Sequence, residues 1–421
     1  MRATIGRVGL ALLLGGSMLY YVQRVLIPYQ QRDAAATGRP RGNLSDLYPR
    51  WLGARELLMH GRDPYSAEVT REIQSGYYGR PLDPGRPAEP TDQQGFAYPV
   101  FVVFLLAPTV TLPFDLVQSG FYWLLLLLTA ASVVLWLSFL QWRPSSDVVL
   151  SMILLTAGSF PVVQGIKLQQ LTLLVGGLIA LAAALLARGY LVPAGILMAF
   201  AIIKPQLAIP IAGWQLLWSF GDWPHRRRYV LGFGVTLVAL LAGAEWVLPG
   251  WMSRFGEAIA AYRGYTGGAG SLLDTLISAA AGRLVALLIV VIVVVLCWKS
   301  RKGSSSEPRF FLMTSLVLSA TVVIVPMIAP YNQVLLLPAV LMLVRQWPEL
   351  RKGSPLVRAL AWGSAFMIAW PWFGSGLLTF FSAIAAPEQV QQWWAVPLYT
   401  SLFIPLWVFA LQLVAWSRTS A

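Results

Sequence analysis

Apolar residues in this chain fall into long blocks separated by short polar breaks, and the blocks predict membrane helices. The first runs from Arg7 to Pro28. Others follow at about 98–114, 115–141, 147–165, 170–187, 190–203, 207–220, 229–249, 283–298, 309–329, 333–346, 356–383 and 394–416. Several are short for a full crossing, which needs roughly 20 residues. Lys and Arg gather between the blocks: Arg2 and Arg7, Arg226-Arg227-Arg228 after His225, Lys299 with Arg301 and Lys302, Arg345 with Arg351 and Lys352, and Arg418. That is the positive-inside pattern, and it assigns each cluster to the cytoplasm. Both termini are then cytoplasmic and the number of crossings is even. The expectation is one all-α polytopic membrane domain over 1–421, with about twelve transmembrane helices plus short re-entrant or outer-loop helices. The 98–114 segment is expected to dip in and return to the outer face before Asp115. The outer face then receives a large loop at 29–97 and a Gly/aromatic loop at 250–282.

Composition agrees. Of the 421 residues, 57% are hydrophobic and 12% charged, against roughly 25% charged in a soluble domain. The net charge of +13 raises nucleic acid as a partner, but its clustering between apolar runs argues for membrane loops and against nucleic-acid binding. A single cysteine, Cys297, rules out an intrachain disulfide. Two histidines far apart in sequence, His60 and His225, make a His-based metal site improbable. Arg2 and Arg7 before an apolar run resemble a secretory signal, with Ala34-Ala35-Ala36 as a cleavage site. The run is of spanning length, however, and longer than the usual 7–15-residue signal core, so it reads as an uncleaved first transmembrane helix.

Three polar breaks fall on the predicted outer side: 167–170, Lys204-Pro205-Gln206 and Pro330-Tyr331-Asn332-Gln333. Polar, unwound backbone at membrane depth persists where it is buried in protein or lines a wet cavity, so breaks facing one side suggest one site. Lys204 costs about 2.5–3.5 kcal/mol if it faces lipid at mid-membrane. It either snorkels to the surface or joins Gln206 in binding a phosphate, for which lysine acts as a point charge. Tyr331, Asn332 and Gln333 form a plain turn or, with Lys167, Gln169 and Gln170, read the hydroxyls of a sugar. In the first outer loop, Ser45 reads as an N-cap, Asp46 as a first-turn carboxylate, Gly61 as a helix stop, and Asp63 with Pro64 as the next cap. The alternative makes Asp46 a general base within reach of an acceptor hydroxyl. Gly232 and Gly234 suit close helix packing. The glycine-rich 264–270 stretch reads as a flexible loop rather than a phosphate cradle. The chain has no Walker-type loop, Ser/His/Asp set or Asp-x-Asp motif.

Four stretches carry a resemblance. They are Asp46-Leu47 with Gly61-Arg62-Asp63-Pro64-Tyr65; Tyr98-Pro99 with Ala107-Pro108 and Leu112-Pro113-Phe114; Gln170 through Arg188-Gly189 and Ala194-Gly195 to Lys204-Pro205-Gln206; and Pro330-Tyr331-Asn332-Gln333 before Leu335-Leu336-Leu337-Pro338. In order and spacing they resemble glycosyltransferase family 87, the polyprenol-phosphate-mannose-dependent α-mannosyltransferases of the GT-C class. The resemblance implies a multi-spanning GT-C fold in the cell membrane with its active site on the outer face. It implies metal-independent, inverting transfer of a hexose, mannose above all, from a polyprenyl-phosphate donor to a lipid-linked or envelope glycan acceptor, with no cofactor. Asp46 maps onto the base and Lys204 onto the donor-phosphate contact, with Gln206 beside it. Gln170, Tyr331, Asn332, Gln333 and Tyr65 are the expected sugar and acceptor contacts. The chain departs from the family at Gln169, where relatives often have Gly, at Thr172 in place of a frequent Asn, and at Asn332-Gln333, near which relatives often carry His. A secondary transporter or flippase of a lipid-linked sugar is the rival reading, since broken helices and a buried lysine fit transport as well.

Overall fold

A computed structural model describes residues 2–36, 45–83, 85–86, 89–90, 92–265, 270–326 and 329–419. The described residues form helices joined by short turns and loops, with no β-strand among them; helices satisfy their backbone polar groups internally where no water reaches them. The first apolar run forms α1 (Arg2–Tyr20), a π-helical turn Tyr21–Leu26 and α2 (Ile27–Ala36). Ala34-Ala35-Ala36 close this helix. Met18, Tyr21 and Val22 are buried against Phe160, Val163 and Leu378, so the run is an integral part of the packing.

The described residues of the 29–97 loop are structured. Helix α3 (Leu47–His60) ends at Gly61, which takes the left-handed conformation at φ 65° as its position predicts. Helix α4 (Ala67–Tyr78) corrects the expected cap: Ser66 Oγ accepts the Val69 N–H, while Asp63 Oδ1 accepts the Tyr65 N–H in a local turn. Arg62 fastens the two helices, pairing with Glu56 at 2.8 Å and Glu72 at 2.6 Å. The 98–114 segment contains only the five-residue α5 (Val102–Leu106) and a 3-10 turn at Ala107–Thr109. At about 1.5 Å per residue it cannot cross a bilayer.

Helix α6 (Phe114–Phe139) is a full-length span. Helices α7 (Ser146–Ala157) and α8 (Phe160–Lys167) follow, bent by 54°. Pro161 in the first turn of α8 favours a fresh start there. Next come α9 (Leu171–Ala187), α10 (Leu191–Ala201), α11 (Pro205–Phe220) and α12 (Trp223–Val247). Helices α10 and α12 touch backbone to backbone: a Cβ on Gly195 would lie 2.4 Å from the Tyr229 carbonyl oxygen, and one on Gly232 would lie 2.4 Å from that of Val192. Gly232 thus has its expected packing role. Gly234 faces open space.

The described residues of the 250–282 loop are also more ordered than expected, holding α13 (Trp251–Tyr265) and α14 (Leu272–Leu276). Arg254 ties α13 to Asp63 of the first loop at 3.2 Å. Of the glycine-rich stretch, 266–269 lie outside the described residues. The chain continues through α15 (Ala279–Ser300), α16 (Pro308–Ile324), a 3-10 helix Pro330–Leu336, α17 (Leu337–Arg345), α18 (Trp347–Leu350), α19 (Pro355–Ile384), α20 (Pro387–Ser401) and α21 (Ile404–Thr419). Among the described residues, six helices are long and apolar enough to cross a membrane, and a seventh span arises if the bent α7–α8 pair counts as one. The other apolar segments make shorter helices, such as Leu171–Ala187 and Pro308–Ile324. Leu284, Leu287, Val291 and Val294 stay exposed along α15, a surface suited to lipid. The chain is a multi-pass membrane protein.

Candidate active site

The three polar breaks meet. Lys204 ends the stretch between α10 and α11, and Pro205, which cannot donate a backbone hydrogen bond, starts the new helix. The 167–170 break turns at Gln169, whose φ of 49° is left-handed. That conformation suits glycine best. The third break is the 3-10 helix after α16. Its buried Asn332 reaches α9, because Thr172 Oγ1 donates to Asn332 Oδ1 at 3.4 Å.

Lys204 is the centre. Only 6% exposed, its ammonium donates to Gln170 Oε1 at 2.9 Å and to Thr172 Oγ1 at 2.6 Å. Its Nζ also lies between two ring faces, 5.7 Å from the centroid of Tyr98 and 5.3 Å from that of Tyr331. A buried ammonium needs such partners because desolvation costs several kcal/mol, about as much as good geometry returns. Having accepted from Lys204 through its oxygen, the Gln170 amide donates through Nε2 to Asp46 Oδ2. One side chain therefore bridges an ammonium and a carboxylate from distant parts of the chain.

Asp46 is held from several directions. Its N–H donates to the Leu168 carbonyl at 3.0 Å, and its own carbonyl accepts from Arg50 Nη1. Ser45 Oγ donates to Gln169 Oε1, and Gln169 Nε2 donates to the Gln118 carbonyl. These bonds stitch the start of α3 onto the 167–170 break. Tyr48 and Trp51 add to this by packing on Phe114 at 4.9 and 5.1 Å. Asp46 stands at the N-cap position of α3, yet its carboxylate makes no cap bond. The capping role expected for Ser45, with Asp46 on the helix dipole, gives way to contacts with the break. Burial raises the Asp46 carboxyl above the ordinary carboxylate value. Arg50, Lys204 and the Gln170 bond pull it down and Asp92 pushes it up, with burial dominant.

Chemically, this is a carboxylate of raised basicity joined through one amide to a buried ammonium, with two aromatic faces and the Asn332 amide alongside. It can take up a proton at one end and hold an anion at the other. The sequence comparison says which chemistry that serves: residues 96–326, more than half of the chain, match the model of Glycosyltransferase family 87. The chain belongs to glycosyltransferase family 87. It is a glycosyltransferase, with a sugar donor and an acceptor as its substrates, and the membership favours transfer over the transport reading. No curated protein and no solved structure matches the chain.

The family 87 match includes Gln170, Thr172 and Lys204, whereas Asp46 and Tyr331-Asn332-Gln333 flank it. Of the residues singled out from sequence, Asp46, Gln170, Lys204, Tyr331 and Asn332 come together. Tyr65 stands one step back: its hydroxyl donates to the Tyr98 carbonyl at 2.6 Å, which fixes Tyr98 beside Lys204. Three residues lie elsewhere. Gln206 is exposed on the first turn of α11. Gln333 donates to the Ser401 carbonyl at 3.0 Å, toward the C-terminal helices. Lys167 donates to Gln30 of the first span at 3.1 Å. Two residues belong to the cluster that the sequence reading passed over. Thr172 was visible only as a departure from the family. Arg50, whose guanidinium lies 4.8 Å over the Tyr98 ring, sits one helical turn from Asp46, and that i, i+4 spacing was its signal.

Proposed function

We propose that this glycosyltransferase has a GT-C fold and moves a hexose, mannose first among them, from a polyprenyl-phosphate donor to a lipid-linked or envelope glycan acceptor. The site lies on the outer face of the cell membrane, with both termini in the cytoplasm. The single observation that carries this reading is the line Asp46–Gln170–Lys204. It spaces a base and an anion-binding cation across one amide, as displacement at a sugar carbon bonded to phosphate requires.

In this mechanism the acceptor hydroxyl gives its proton to the Asp46 carboxylate while its oxygen attacks the anomeric carbon. The bond from that carbon to the phosphate oxygen breaks, and the lipid phosphate leaves with the electron pair. Attack opposite the leaving group inverts the anomeric centre. Lys204, with Arg50 across the Tyr98 ring, stabilises the negative charge gathering on the phosphate, so the reaction runs without a metal. Burial supports the role of Asp46 by raising its basicity toward the operating pH. Tyr331 and Asn332 border the space for the sugar.

The donor class is tested with the purified chain in proteoliposomes, offered radiolabelled hexose either as polyprenyl phosphate or as nucleotide sugar. The proposal expects label in the glycolipid fraction from the polyprenyl-phosphate donor alone. Transfer from the nucleotide sugar, with none from the lipid donor, overturns it.

A further inference from the structure

We propose that the end of the helix bundle opposite the Lys204 cluster carries a second site, for one anionic membrane phospholipid, with Arg143 and Arg188 binding its headgroup. A cavity of about 690 Å³ opens there, between the end of α6, the turn after it, α7 and the end of α9. That volume is within the roughly 300–1,000 Å³ range of small-molecule sites. Its walls are apolar, with Val134, Leu137 and Val149 among them. Val134 is 50% exposed on the outer surface of α6, so the apolar side opens to the bilayer, where an acyl chain can lie.

The polar end carries two cations and no acidic residue. Neither the Arg143 nor the Arg188 guanidinium makes a hydrogen bond or ion pair among the described residues; the Arg188 backbone N–H closes α9 on the Leu185 carbonyl at 3.1 Å. Their neighbours are committed elsewhere: Arg7 pairs with Asp147 at 3.0 Å, and Arg345 donates to the Leu140 carbonyl. A basic residue just past a helix end is common and carries nothing alone. Here two such residues, from separate helix ends, share the rim of one concavity. Gln141, at a left-handed φ of 50°, turns the chain back after α6 beside it.

Position decides the ligand's leaflet. Helix α9 starts beside Gln170 and ends beside Arg188, so its 17 residues separate the two sites by about 25 Å at 1.5 Å per residue. That approaches the roughly 30 Å thickness of the hydrocarbon core. The cavity therefore meets headgroups of the leaflet opposite the Lys204 cluster and is separate from any donor phosphate there. Two unpaired guanidinium groups above an apolar slot complement a phosphodiester carrying acyl chains.

The test uses the full chain in phosphatidylcholine micelles, titrated with phosphatidylglycerol and read by native mass spectrometry. The expected result is one preferentially retained phosphatidylglycerol. Arg143→Gln/Arg188→Gln should weaken retention about 30-fold, near 5-fold for each cation, and Arg143→Lys/Arg188→Lys should recover most of it. Arg351→Gln/Lys352→Gln, which removes the same charge from an exposed turn, should leave retention unchanged. The site is overturned if no single lipid is retained preferentially, or if the control variant loses as much as the arginine pair. It is equally overturned if soluble glycerol phosphate displaces the lipid, since that marks a free-anion site. Matched elution profiles and melting temperatures keep a folding defect from counting as lost binding.

Discussion

Replacing Lys204 with methionine removes the ammonium while keeping an unbranched side chain of similar length between Tyr98 and Tyr331. Two buried acceptors, Gln170 Oε1 at 2.9 Å and Thr172 Oγ1 at 2.6 Å, lose their donor. Each unpaired acceptor costs about 1–3 kcal/mol. Relief of the buried ammonium's desolvation, itself several kcal/mol, offsets this. The net change in stability should therefore be about 2 kcal/mol or less, and the variant should fold. Activity responds differently. Loss of one preorganised donor aimed at developing charge costs about 2.7–4 kcal/mol of transition-state stabilisation, or roughly 100- to 1,000-fold in rate. Initial rates of hexose transfer from polyprenyl phosphate in proteoliposomes measure this, beside melting curves of the same preparations. The rate loss should fall mainly on kcat, because phosphate charge grows as the sugar bond breaks. A folded Lys204→Met protein with transfer within about threefold of wild type would refute the role given to Lys204.

Gln206 is exposed, so Gln206→Ala should leave transfer within about twofold of wild type; a larger loss would return it to the site. The raised Asp46 carboxyl places the acid limb of kcat/KM above the ordinary carboxylate range, with activity rising as the base ionises. Arg50 lowers that carboxyl, so Arg50→Met should move the limb to higher pH, and an unmoved or lower limb would separate Asp46 from the titration. Gly195→Ala inserts a methyl 2.4 Å from the Tyr229 carbonyl and should cost about 1–3 kcal/mol through overpacking. It should lower the melting temperature, and transfer too, because α10 leads directly to Lys204.

The outline of the site was legible because polar residues inside an apolar block are costly enough to stand out. Lys204-Pro205 and Pro330-Tyr331-Asn332-Gln333 announced themselves in that way, and both adjoin the cluster. Which side chain of each break turns inward depends on helix phase. Gln206, two residues past Lys204, points outward from a new helix, while Asn332 and its neighbour Gln333 face different helices. Asp46 showed the limit of local rules. Its spacing described a helix start correctly, but a partner 124 residues away claimed its carboxylate. Thr172 carries no charge or break to mark it; in the sequence it stands out only as a departure from the family, and its bond to Lys204 depends on α9 lying beside that residue. The family match reaches the middle of the chain and supplies the chemistry, while Asp46, outside that match, is brought to Lys204 by its contacts with the 167–170 break.

The most direct test of the account is Asp46→Asn, assayed for transfer and stability in the same preparation. Because burial raises the folded-state pKa, ionised Asp46 opposes folding: full stability holds below the unfolded-state pKa and declines as pH rises through the folded-state value. At neutral pH the asparagine variant should therefore melt no lower than wild type, with Asn Oδ1 still able to accept from Gln170. Transfer should nevertheless fall roughly 100- to 10,000-fold, the usual worth of a positioned base. A folded Asp46→Asn enzyme that transfers sugar at the wild-type rate would contradict the account.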